Sequence, residues 1–146
     1  MQKQILLDLL DHNRFVCNAT FKKITPENSR FRLNEKTASV GFIYRHIGET
    51  ANILGEFFGV KTDVENTTIG QSDTGKNYDL QTSHTFMEQG YKTLEDLIKN
   101  SSDQDWFEDV ETSFLGTVPR MKLLSIILFH NSHHCGQIAS AIVKGN

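Results

Sequence analysis

The chain has 146 residues and a hydrophobic content of 38%, enough to build a packed core and to exclude disorder as the main state. Fifteen Lys+Arg stand against eighteen Asp+Glu, a formal charge of −3, and the longest basic run is Lys22-Lys23; both argue against a nucleic-acid partner, whose phosphates demand a basic excess. The most apolar stretch, 123–129, is far short of the roughly 20 residues of a membrane span, so no membrane association is expected.

Residues 2–23 carry Ile5, Leu6, Leu9, Leu10, Phe15, Val16, Ala19 and Phe21 at spacings of three and four, which predicts a first amphipathic helix. Asp8 and Asp11 interrupt its start and no small-residue cleavage site follows, so it does not read as a signal peptide. Thr25-Pro26-Glu27 has the form of a short helical start. A second helix is expected over 37–58, capped by Thr37 or Ser39 and closed by Gly59; Phe42, Ile43, His46, Ile47, Ile53, Leu54 and Phe57 share its apolar stripe. Residues 60–81 are rich in Thr, Asn, Asp, Gly and Ser and read as a long loop, of a length that often serves function.

A third helix is expected over 83–99, with Phe86, Met87, Tyr91, Leu94, Leu97 and Ile98 on one side. The aromatic-rich connection through Trp106, Phe107, Val110, Phe114 and Leu115 is of open structure, with room for a short strand or turn. A fourth helix is expected over 117–143, apolar nearly all round in its middle and therefore the most buried of the four. No segment shows convincing strand alternation. Four such helices give an all-α four-helix bundle, a single domain over 1–146, with its sites built between facing helices. Two cysteines, Cys17 and Cys135, do not make a disulfide framework. A cytoplasmic protein with reduced thiols is the expectation.

The six histidines are the unusual feature. On the fourth helix, His130 and His134 are four residues apart and lie on one face, about 5–6 Å between Cβ atoms, so both imidazoles can reach one metal; His133, at i+3, is a geometrical competitor. A zinc-protease reading fails because the position after the first His is Asn131, which cannot act as a base. A di-iron bundle is disfavoured by the lack of paired Glu-x-x-His motifs. His46, inward on the second helix, is the best third ligand for an open three-ligand site. Glu49, three residues on, is either an acceptor behind the ligands, a base for bound water, or a solvated charge. Phe42, Ile43, Ile127 and Phe129 are candidate cavity walls, Gln137 and buried Cys135 read as structural, His84 as a surface residue, and His12 as solvated or near the mouth of the site.

The segment 128–138, with His130, His134, Gly136, Gln137 and Ile138, resembles the closing HxxxHxGQI signature of the DinB-like (DinB/YfiT) superfamily. The segment 38–47, with Ser39-Val40-Gly41 leading to His46, resembles that superfamily's second-helix motif. Cys135 departs from it, since Arg or another residue is often found there. The resemblance implies an up-down-down-up bundle, a homodimer, and a metal (nickel or zinc) held by His46, His130 and His134. It further implies a metal-dependent enzyme acting on a small-molecule substrate, as a transferase using a low-molecular-weight thiol or as a hydrolase. The alternative is a non-catalytic stress-response or binding protein in which the metal is structural or vestigial.

Overall fold

A computed structural model describes residues 2–146, the side chain of Gln2 excepted. Four long helices account for most of it: α1 (Gln2–Phe21), α2 (Val40–Gly55), α3 (Leu80–Asn100) and α4 (Arg120–Lys144). Ser39 caps α2 by accepting from the Phe42 backbone N–H at 3.3 Å, which settles the choice between Thr37 and Ser39. A 3-10 turn, Glu56–Phe58, extends α2 to Gly59, whose φ of 87° is the left-handed closure that glycine allows. α3 begins three residues earlier than its apolar pattern suggests. Asp79 is the reason: its carboxylate accepts from the Thr82 N–H at 2.6 Å and satisfies an otherwise orphaned donor.

The connection before α4 is a two-stranded antiparallel hairpin, β1 (Asp109–Thr112) paired with β2 (Gly116–Pro119). Thr117 and Val118 therefore belong to a strand rather than to the start of α4, and the helix begins after Pro119. The strands are too short for hydrophobic alternation to be visible in sequence.

Cross-helix contacts fix the topology. Arg45 reaches Ser83 and Asp79, Asn52 reaches the Phe86 carbonyl, and Gly55 lies against Thr93, so α2 and α3 run the same way. Asn13 bonds the Leu128 carbonyl and Ser132 Oγ, and Cys17, one turn on, meets Cys135, so α1 and α4 are parallel. Tyr91 bonds Asn13, whereas Lys3 bonds the Lys99 carbonyl, which makes α3 antiparallel to α1. The result is an up-down-down-up four-helix bundle, and the long loop 60–79 is the crossover that two parallel neighbours require.

α2 and α3 make the closest approach. A Cβ on Gly48 would lie 2.9 Å from Phe86 Cβ, and one on Gly90 would lie 2.5 Å from Ala51 Cβ, so these two glycines let the backbones touch. All of α2 except Arg45, His46 and Ile53 is buried. The expectation that α4 is the most buried helix is thus overturned. Its apolar residues surround the helix, but Ser125, Phe129, Ser132, His133, Gly136 and Ser140 remain exposed because no helix of this chain covers them. One hydrophobic cluster joins the helices, with Leu10, Ile47, Leu94, Ile98, Leu123, Ile127 and Ile138 at its centre and Trp106 closing one end.

Candidate metal centre

α2 and α4 run antiparallel through this core, and their facing sides carry the three histidines expected from sequence. His46 comes from α2, His130 and His134 from consecutive turns of α4, and one ligand nitrogen from each lies within 4.8 Å of the others. His46 Nε2 and His130 Nε2 are 3.0 Å apart. Two nitrogens bound to one ion at about 2.0–2.1 Å stand about 2.9 Å apart at a right angle and about 3.4 Å apart at the tetrahedral angle, so the spacing fits a shared cation. His133 points elsewhere: it is exposed and stacks on Phe129 at 6.3 Å between ring centroids.

The far nitrogens of two rings are fixed by the protein. His134 Nδ1 lies 2.6 Å from Gln137 Oε1, an acceptor, so Nδ1 carries the proton and Nε2 keeps its lone pair. His46 Nδ1 lies 3.3 Å from Thr68 Oγ1. That hydroxyl donates to Glu49 Oε2 at 2.6 Å, so towards His46 it can only accept, and His46 Nδ1 is again the protonated nitrogen. His130 Nδ1 is buried without a partner.

Glu49 is fully buried, and its carboxylate accepts from the backbone N–H of Thr67 and of Thr68, both at 2.9 Å, and from both hydroxyls at 2.6 Å. Arg45 Nη1 stands 4.0 Å from Glu49 Oε1, the oxygen that the Thr67 hydroxyl also reaches. Of the roles open from sequence, the solvated charge is excluded by this burial. Glu49 reaches the triad through Thr68.

Burial dominates the electrostatics. It pushes the His130 imidazole down to about 3 and His46 down to about 4, with the neighbouring His134 charge as the second cause in each, and it lowers His134 too. At neutral pH all three rings are neutral and their lone pairs are available to a cation.

The cluster opens on a cavity of about 420 Å³. Phe42, Ile43, Leu33 and Ala141 form its apolar wall, and Thr68 and Gln137 its polar edge. Two of the expected wall residues are elsewhere: Ile127 is sealed in the core, and Phe129, 74% exposed, is on the outer face of α4. Gln137, read as structural, belongs to the site; its signal was the i+3 spacing from His134. Thr68 was missed, and only the length of its loop pointed to it.

No family model matches the chain, and no curated protein matches it by sequence. Its fold is shared with solved structures. TT2238, described as a four-helix bundle protein, superposes with a TM-score of 0.67 at 13% identity, covering 94% of this chain and 98% of that one. A DinB-like protein from Bacillus subtilis, YjoA, superposes with a TM-score of 0.64 at 17% identity, covering 97% of this chain and 91% of that one. At such identities the likeness establishes the fold alone, a four-helix bundle shared with TT2238 and with that DinB-like protein.

Proposed function

We propose that His46, His130 and His134 hold one divalent transition metal, nickel or zinc, and that the protein is a metal-dependent enzyme transferring a low-molecular-weight thiol to or from a small molecule. The observation that carries this reading is the convergence of three neutral imidazoles, two with their outer nitrogens already bonded, on a partly apolar cavity. Such an ion supplies Lewis acidity and lowers the pKa of a thiol or water bound to it. The chain's own residues do the rest. Gln137 and Thr68 hold ring orientation and tautomer, Glu49 anchors Thr68, and Phe42, Ile43 and Leu33 keep the wall dry.

Thiol transfer is favoured over hydrolysis by the lining of the cavity, which contains no carboxylate. Glu49, the nearest, has both oxygens engaged by Thr67 and Thr68, so no general base stands ready for a water. A thiol, with an intrinsic pKa of about 8.5 against about 15.7 for bulk water, has less need of one. The test is metal analysis of untagged protein followed by a thiol-conjugation screen with electrophilic small molecules. The reading predicts about one metal per chain and conjugation that disappears in His130→Ala. A metal-free protein, or a metal-loaded one that conjugates no thiol, refutes the binding and the catalytic halves respectively.

We further propose a homodimer formed through the outer face of α4. Between Lys122 and Lys144 this helix carries no Lys, Arg, Asp or Glu, although Phe129 and Val143 are largely exposed. Leu9 and Val16 flank it on α1, on the side of Asn13 away from Arg14. An uncharged strip with protruding apolar side chains is an association surface, and a dimer that survives Phe129→Glu in sedimentation refutes this placement.

A further inference from the structure

The histidine cavity is not the largest concavity of the molecule. A crevice of about 510 Å³ lies between α1 and α3, over the opposite side of α2. Tyr44 is its link to α2. It precedes His46 by two residues and so faces about 200° away from it round the helix. The volume falls within the usual range for small-molecule sites, roughly 300–1,000 Å³.

The walls divide by chemistry. Phe21, Ile24, Leu80 and the Tyr44 ring make an apolar floor. The Tyr44 hydroxyl lies within hydrogen-bond distance of His84 Nδ1, at 3.0 Å. That contact occupies Nδ1 of His84 and leaves Nε2, the other nitrogen of this lining ring, for a ligand. Glu88 is the one carboxylate of the lining, and Arg14 already pairs with it. Lys22 has no ion pair among the described residues, and the Asn18 and Gln81 side chains have no hydrogen bonds. With Arg14 and Glu88 cancelling, the crevice carries one net positive charge from Lys22 on a chain whose formal charge is −3.

We propose that this crevice is a second small-molecule site, which takes an amphipathic anion: a flat apolar body on the Phe21–Leu80 floor, with a carboxylate or phosphate held by Lys22, His84 and the free amides. A cationic ligand would find no free counter-charge there, and an uncharged one would leave Lys22 unmatched. The site shares no lining residue with the histidine cavity, so it stands or falls independently of the proposed metal function.

The test is an NMR titration of the full chain, as purified and after EDTA treatment, so that an anion captured by metal is recognised. The probes are phenylacetate, phenyl phosphate, inorganic phosphate and 2-phenylethanol. Saturable shifts at Leu80 and His84 with phenylacetate or phenyl phosphate are expected, and the stronger of the two identifies the head group. Binding of 2-phenylethanol and of phosphate alone should be at least about tenfold weaker, a difference of 1.4 kcal/mol. Lys22→Glu, an exposed change that leaves the fold intact, should weaken the preferred probe by a similar factor. Four results overturn the proposal: no saturation by about 10 mM, equal binding of 2-phenylethanol, shifts confined to Phe42 and Ile43, or protection of the crevice by a second copy of the chain in sedimentation.

Discussion

Replacing Thr68 with Val separates positioning of the metal site from stability of the fold, because Thr67 supplies a matched control. Both hydroxyls donate to Glu49 at 2.6 Å, but only Thr68 also accepts from His46 Nδ1. Each Thr→Val change keeps the side-chain shape and removes one hydrogen bond to a charged group, a loss of about 1.5–3 kcal/mol. Both variants should therefore lose stability, Thr68→Val the more because it also strands the His46 N–H, and the Glu49 carboxylate keeps three donors in either case. Thr68→Val alone leaves the His46 N–H without its acceptor. Loss of such a partner lowers metal affinity by about 10- to 100-fold. Chemical denaturation measures the first effect and competition against a chromophoric chelator the second. Equal metal affinity in the two variants, or a larger loss in Thr67→Val, would refute the positioning argument.

His130→Ala should abolish tight metal binding while His133→Ala retains it, as read by metal content after dialysis; the reverse would pass the ligand role to the exposed ring. The metal-free protein should lose stability as pH falls. The unfolded histidines titrate near 6.5 while His130 and His46 titrate near 3 and 4 in the fold, so the unfolded chain binds more protons throughout that window. Their contribution is fully present above about pH 6.5 and is lost as pH drops through the folded values. A urea midpoint that is the same at pH 7.5 and pH 5, or one whose pH slope survives His46→Gln/His130→Gln, sinks this assignment. Gly90→Ala should cost about 1–3 kcal/mol or more through its clash with Ala51, whereas Gly136→Ala, with open space around its Cβ, should gain about 0.5–1 kcal/mol; thermal melts of both distinguish backbone contact from helix propensity.

The bundle and the triad were legible because both rest on helical periodicity. Spacings of three and four gave the four helices, and the same geometry put His130 and His134 on one face. Asp79 was overlooked as a cap because it sits just outside the apolar pattern. The hairpin was hidden by strands of four residues each. The relative burial of α2 and α4 could not be read, since it depends on which helices surround each one. α2 is enclosed by α3, α4 and the crossover loop, whereas the outer face of α4 meets no helix of this chain. Thr68 could not be found either, because a loop residue's contact with a helix 22 positions away has no period to betray it.

The four donors around Glu49 all belong to two adjacent residues of the crossover loop, and this makes the loop a clasp rather than a flap. If Thr67 and Thr68 lift away, a carboxylate sealed in the core loses every one of those hydrogen bonds at once. Stranding a buried charge costs several kcal/mol; at about 4 kcal/mol roughly one molecule in 10³ would be found undone. Partial release gains nothing, because the charge still lacks its donors. Traffic into the histidine cavity therefore has to pass the exposed parts of the rim, around Leu33, Lys36 and Gln71, while the Thr67–Thr68 corner stays shut.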